Sequence, residues 1–218
     1  MMREGRFDEA KRVGLYFGSF NPIHMGHLVI ANHMATCTDL DEVWLVVTPQ
    51  SPHKQRGDLI AQHDRLQMVR LAIADNERLH ASDVEFHLPQ PNFTAATMRH
   101  LREEWPDLVF SIIIGEDNFQ TLHKWQHYWE LVDHHRILVY PRRELSPAPA
   151  PPPPFDPKAR REGQPVPPDL PNIAFCEAPM ISISSTYLRE AILNHRDIRY
   201  LLPDKVLNYI GSNHFYEP

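Results

Sequence analysis

Short apolar runs alternate along this chain with stretches whose apolar positions return at helical spacing. Val13–Phe17 has the unbroken apolar character of a buried strand, and Gly18–His24 follows as a turn containing Asn21-Pro22. From about Met25 to Ala35, Leu28, Ala31 and Ala35 recur at the spacing of a helix. Val43–Thr48 predicts a second strand ended by Pro49, and Leu66, Val69, Ala72 and Ile73 mark a second helix. A strand over Leu79–Phe86 and a helix over Thr94–Glu104 come next. Val109–Ile114 is the clearest buried strand, stopped by Gly115; Arg136–Tyr140 and Ile173–Glu177 supply two more. Helices near Thr186–Leu193 and Pro203–Ile210 close the pattern. Such alternation predicts an α/β fold, a parallel sheet with helices on both faces. Ligands of these sheets sit at the carboxyl ends of the strands, so the strand-to-helix turns are where chemistry is expected.

Ser146–Pro171 breaks the rhythm. It holds eleven of the 21 prolines, including Pro151–Pro154, and proline supplies no backbone donor for a helix or a central strand. Its composition predicts an exposed, partly mobile insertion in polyproline conformation, with docking of a proline-binding partner as the alternative. Residues 1–12 are polar and mixed in charge and read as a flexible extension without the apolar core of a secretory signal. The expected organisation is one domain over 13–218, interrupted at about 146–171.

At 218 residues the chain is long enough for one sizeable core. Its net charge of −6 argues against tracking nucleic-acid phosphates, which needs clustered excess Lys and Arg, but leaves room for a small basic pocket. No apolar run approaches the length of a membrane span. The two cysteines, Cys37 and Cys176, form no CxxC pair, which suits a reducing cytoplasm.

The strongest chemical signal is Gly18-Ser-Phe-Asn-Pro-Ile-His24-Met-Gly-His27, between the first strand and the first helix. Gly18 permits a tight turn, and the following helix offers free N–H groups and a positive dipole end to a phosphate. Two histidines three residues apart near a helical start can face one side. A metal-binding reading of HxxH is weaker, because no third ligand is near. The second element, Ile183-Ser-Ser-Thr-Tyr-Leu-Arg189, puts three hydroxyls at a helix start with an arginine one turn along; simple N-capping is its plain structural alternative. Pro52-His53-Lys54 follows the second strand, and Gly115-Glu-Asp117 leaves the buried strand with Trp125 beyond it.

The first loop resembles the (H/T)xGH motif of the nucleotidyltransferase superfamily, and HMGH is also similar to the HIGH sequence of class I aminoacyl-tRNA synthetases. The second resembles the ISSTxxR element of adenylyltransferases. Gly115–Trp125 resembles the GxDxxxxxxxW pattern, and Asn92-Phe-Thr94 the SYT segment, of the nicotinate mononucleotide adenylyltransferase family. The likeness runs from about residue 13 to 211. It implies a Rossmann-like, doubly wound parallel sheet of the nucleotidyltransferase type. It also implies adenylyl transfer from ATP to nicotinate mononucleotide, giving deamido-NAD and pyrophosphate. His24, His27 and Arg189 would be the catalytic set. Gly18, Ser19, Phe20, Gly26, Gly115, Asp117, Ser184, Ser185 and Thr186 would bind ATP. Asn21, His53, Lys54, Thr94, Trp125 and Arg142 would bind the mononucleotide, with Trp125 stacking on the pyridine ring. Mg²⁺ would be bound mainly through the ATP phosphates. Asn92-Phe93 and Ala96 depart from the family's usual residues on this wall, and Arg142 lacks the glycine of the family's Arg-Pro-Gly turn. His123, His127, His134 and His135 form no coherent ligand set and read as surface residues. Phosphopantetheine or nicotinamide mononucleotide adenylyltransferase, and a non-enzymatic nucleotide-binding protein on this scaffold, stay open as alternatives, as does a homo-oligomer.

Overall fold

The computed structural model describes residues 10–49, 59–142 and 172–217. Six strands, β1 (Lys11–Gly18), β2 (Glu42–Val47), β3 (Leu79–Ser82), β4 (Leu108–Gly115), β5 (Arg136–Tyr140) and β6 (Ile173–Phe175), form one sheet in the order β3-β2-β1-β4-β5-β6. Every pairing is parallel, and Leu15 sits between Trp44 of β2 and Ile112 of β4. The order reverses between β1 and β4, which leaves a crevice at their carboxyl ends.

Among the described residues seven α-helices cover the sheet: α1 (Met25–Cys37), α2 (Gln62–Ala72), α3 (Thr94–Glu104), α4 (Glu116–Thr121), α5 (Tyr128–His134), α6 (Ser185–Leu193) and α7 (Asp204–Ser212). Strand side chains point alternately to the two faces, so each strand feeds two cores. Tyr16, Leu45, Ile113 and Leu138 join α1, α2, α6 and α7 on one face. Leu15, Val46, Ile112, Ile114 and Val139 join Met98, Leu101 and Leu131 of α3 and α5 on the other. Fully burying one such aliphatic side chain contributes about 1.5–3 kcal/mol, which is why strands covered on both faces read as unbroken apolar runs.

Three local expectations are corrected. The first strand begins at Lys11 rather than Val13, because Arg12 N–H bonds Asp41 Oδ2 at 2.7 Å and Arg12 O accepts from Asp41 N–H at 2.9 Å. The third strand stops at Ser82, and Val84–Phe86 forms a 3-10 turn that swings Glu85 inward. Helices α4 and α5, of six and seven residues, were not expected, since less than two turns give no repeat to read. The proline-rich segment 146–171 and all but the last few residues of the extension 1–12 lie outside the described residues.

Candidate active site

Two hollows open at the carboxyl ends of β1, β4 and β5. The larger, about 980 Å³, is bounded by Gly18–Phe20, Glu85, Asn92–Thr94, Gly115, Asp117, Trp125, Ser184–Thr186 and Arg189. The smaller, about 190 Å³, runs along Gly26 and Ile30 of α1 and the segment Pro179–Ile183. Tyr16, His24, His27, Tyr140 and Arg142 line both and form their common wall.

The loop after β1 sets this wall. Phe20 takes a left-handed conformation (φ 44°), buries its ring and lays it over Gly18, where a Cβ would stand 2.8 Å from the ring. His24 then ends the loop in extended backbone and becomes the N-cap position of α1. Its ring stacks on that of His27, with centroids 3.7 Å apart, so the two imidazoles do share one side. Gly26 leaves space for the His24 ring: a Cβ there would meet it at 3.0 Å. His27 Nδ1 accepts the His24 backbone N–H at 3.2 Å. A neutral His27 therefore carries its proton on Nε2. Burial, then the nearby Arg142 charge, lowers the pKa of His24 to about 4, so it is neutral at pH 7. Its Nδ1 is buried without a hydrogen-bond partner.

The α6 terminus meets this loop directly. Ser184 caps α6 by accepting the Tyr187 N–H at 3.2 Å. Ser185 does not cap: its hydroxyl donates to Pro22 O at 2.9 Å. Arg189 donates to Asn21 O at 2.9 Å and lies 3.4 Å from the Thr186 hydroxyl. Asn21 is itself buried, its Oδ1 accepting from the Tyr216 hydroxyl at 2.7 Å. The α6 start and Tyr216, both distant in sequence, thus converge on the strand-to-helix turn of β1.

On the opposite side, Gly115 lets the Asp117 carboxylate fold back against the end of β4, where a Cβ would meet Asp117 Oδ1 at 2.5 Å. Asp117 Oδ2 pairs with Arg142 at 3.1 Å, and Asp117 Oδ1 is buried without a partner. Arg142 stands on the common wall, close enough for its charge to act on His24. Tyr16 and Tyr140 share a hydrogen bond at 3.1 Å, and burial holds both phenols above their ordinary pKa. Trp125 and Thr94 line the larger hollow together. His53 and Lys54 lie outside the described residues.

Among the other histidines the surface expectation fails for His135, which is buried and whose pKa falls to about 4 through burial and the charges of Arg102 and His134. Four site residues had no sequence signal: Tyr16 and Tyr140 read as strand, Glu85 as part of a longer strand, and Tyr216 as a residue beyond the last helix. Glu85 lies 2% exposed and accepts from Thr97 at 2.8 Å, while burial pushes its pKa up.

This geometry has relatives. The family described as cytidylyltransferase-like matches residues 15–191. The "Probable nicotinate-nucleotide adenylyltransferase" of Flavobacterium johnsoniae is 45% identical over 94% of this chain and 99% of its own length. The protein of that name from Christiangramia forsetii is 43% identical over 95% and 99%. The chain belongs to this family, among the nicotinate-nucleotide adenylyltransferases. The fold agrees: the nicotinic acid mononucleotide adenylyltransferase of Plasmodium falciparum, solved with NaAD, superposes with a TM-score of 0.73, covering 94% of this chain and 97% of that one at 20% identity. Among the described residues no helix is long and apolar enough to cross a membrane, and no group of three or more His, Cys, Asp or Glu could hold a metal ion.

Proposed function

We propose that the protein transfers the adenylyl group of ATP to nicotinate mononucleotide, giving deamido-NAD and pyrophosphate in NAD biosynthesis. The observation that carries this reading is the stacked His24–His27 pair on the wall between two hollows, facing Arg189 and the α6 start across the β1 loop. The attacking group is the phosphate of the mononucleotide, largely dianionic at neutral pH because its second pKa is near 6. No general base is required. The protein must align two anions and neutralise charge as pyrophosphate leaves. His27, with its proton on Nε2, donates to a phosphate oxygen, and an anion bound beside His24 favours that ring's charged form against the burial and the Arg142 charge that keep it neutral. Arg189 and the Thr186 hydroxyl would hold the leaving phosphates, and Trp125 would stack on the pyridine ring; all three line the larger hollow.

Mg²⁺ fits as an ion carried by the ATP phosphates. The hollow is lined by two carboxylates, Asp117 and Glu85, each with one buried and unpartnered oxygen, and Mg²⁺ keeps several waters where protein ligands are few. When bound it would screen the phosphate charge. Both cysteines are free thiols, in keeping with the reducing cytoplasm proposed as the protein's compartment.

The test is incubation with Mg-ATP and a panel of nicotinate mononucleotide, nicotinamide mononucleotide and phosphopantetheine, with pyrophosphate as the readout. Nicotinate mononucleotide is expected to give the highest kcat/KM, because backbone N–H groups favour a carboxylate, which only accepts hydrogen bonds. Equal values for the two pyridine nucleotides overturn the substrate assignment, and absence of pyrophosphate with all three overturns the reaction.

A further inference from the structure

Arg65 is the charge in this molecule with the least visible reason to exist. It sits on the first turn of α2, 1% exposed. Among the described residues its hydrogen bonds go to neutral backbone carbonyls: Nε to Ile60 at 3.2 Å, Nη1 to Ser19 and to Thr48 at 2.7 Å each, and Nη2 to Pro49 at 2.7 Å. The acid beside it in sequence, Asp64, accepts instead from the Tyr209 hydroxyl at 2.8 Å. A guanidinium removed from water and given only dipoles is costly, since no opposite charge offsets its lost hydration. Burial accordingly works against its charged form.

The bond to Ser19 has a geometric consequence. A trans peptide is planar, with its C=O and the next N–H pointing in opposite directions. Drawing Ser19 O onto the guanidinium therefore turns the Phe20 N–H the other way, and Ser19 and Phe20 line the larger hollow. Phe20 itself takes the left-handed conformation (φ 44°) that anion-binding nests use. A cation 2.7 Å behind the carbonyl also polarises that peptide and strengthens its N–H as a donor.

We propose that Arg65 is a positioning residue for a substrate phosphate: it holds the Ser19–Phe20 peptide with its N–H turned into the larger hollow and lends that donor its buried charge without touching the ligand. The missing counter-ion of Arg65 is then the phosphate itself. The proposal rests on reading the larger hollow as the place where the phosphates of ATP and the mononucleotide meet.

Two measurements test it. Arg65→Met and Arg65→Lys are compared with wild type by thermal melting and by calorimetric titration with nicotinate mononucleotide, with Mg-ATP and with inorganic pyrophosphate. Arg65→Met is expected to raise the Kd of at least one of the three by about tenfold or more, the size of one charge-assisted hydrogen bond, and the ligand affected identifies which phosphate faces the turn. Arg65→Lys, which keeps the charge but not the planar fork, recovers part of that loss. A lowered melting temperature with all three constants within twofold of wild type makes Arg65 a structural residue and overturns the proposal. Wild-type protein gives a second readout that depends on no variant: the Phe20 amide resonance should move downfield on titration with pyrophosphate. An unmoved Phe20 amide with every ligand also overturns it. Should wild type bind pyrophosphate through Phe20 and neither nucleotide, the functional reading fails while the role of Arg65 stands.

Discussion

At the scale of single residues, the useful property of His27 comes from a bond it accepts. With Nδ1 taken by the His24 amide, the neutral ring carries its proton on Nε2, the position that donates to an oxyanion in the proposed reaction. Removing such a donor is expected to cost about 10²-fold or more in kcat. His24→Ala and His27→Ala should each show this loss in steady-state turnover, with melting curves close to wild type; near-normal kcat in both removes the pair from the mechanism. Two buried histidines also set a pH response. His24 and His135 both titrate near 4 in the folded chain, against about 6.5 when unfolded. The unfolded chain takes up these protons first, so their contribution to stability is whole above about pH 6.5 and drains away as the pH falls towards 4. Melting temperature measured from pH 7.5 to pH 5 should decline, and His135→Asn should flatten part of that decline; an unchanged slope would falsify the assignment of His135. The sequence displayed His24, His27 and Arg189 because they cluster in two short motifs. It hid Arg65, Glu85 and His135, because a polar residue becomes buried only through partners far away in the chain, as Arg65 does through Ser19 and Thr48.

At the scale of elements, α6 shows two serines with separate tasks. Ser184 caps the helix, and Ser184→Ala should cost about 1 kcal/mol of stability. Ser185 instead ties the helix to Pro22 O on the β1 loop. Ser185→Ala should therefore lower kcat/KM for ATP several-fold through a net hydrogen bond of about 0.5–1.5 kcal/mol, while its melting temperature falls less than that of Ser184→Ala. Chemical denaturation and ATP-dependence kinetics on the two variants decide this, and equal profiles would sink the division of labour. The long elements β1, α1, β4 and α3 were readable because two or more periods of their pattern fit inside them. Glu116–Thr121 and Tyr128–His134 are too short for that, and the break after Ser82 depends on Glu85 turning in to meet Thr97.

For the whole molecule, the strand order explains where the long connection from β5 to β6 can vary. These strands are parallel neighbours, so the chain must return from the carboxyl end of β5 to the start of β6. That is five residues of strand, roughly 17 Å at about 3.3 Å per residue. Residues 141–146 and 169–172 alone can bridge it when extended. Deleting 147–168 and joining the ends with a short flexible linker should leave kcat and the melting temperature within twofold and a few degrees of wild type. Collapse of either would assign the deleted stretch to the site or to an interface.

The five side chains common to both hollows, Tyr16, His24, His27, Tyr140 and Arg142, make the two hollows neighbours across one wall. Weak fragments found separately for each can therefore be tethered over the imidazole pair by a short bridge. Tethering makes the second attachment intramolecular, at an effective concentration in the millimolar range for short flexible linkers. A stiff bridge loses less freedom on docking and gains more. A dinucleotide is such a tethered molecule by construction, so one that spans both hollows leaves only when both halves let go together.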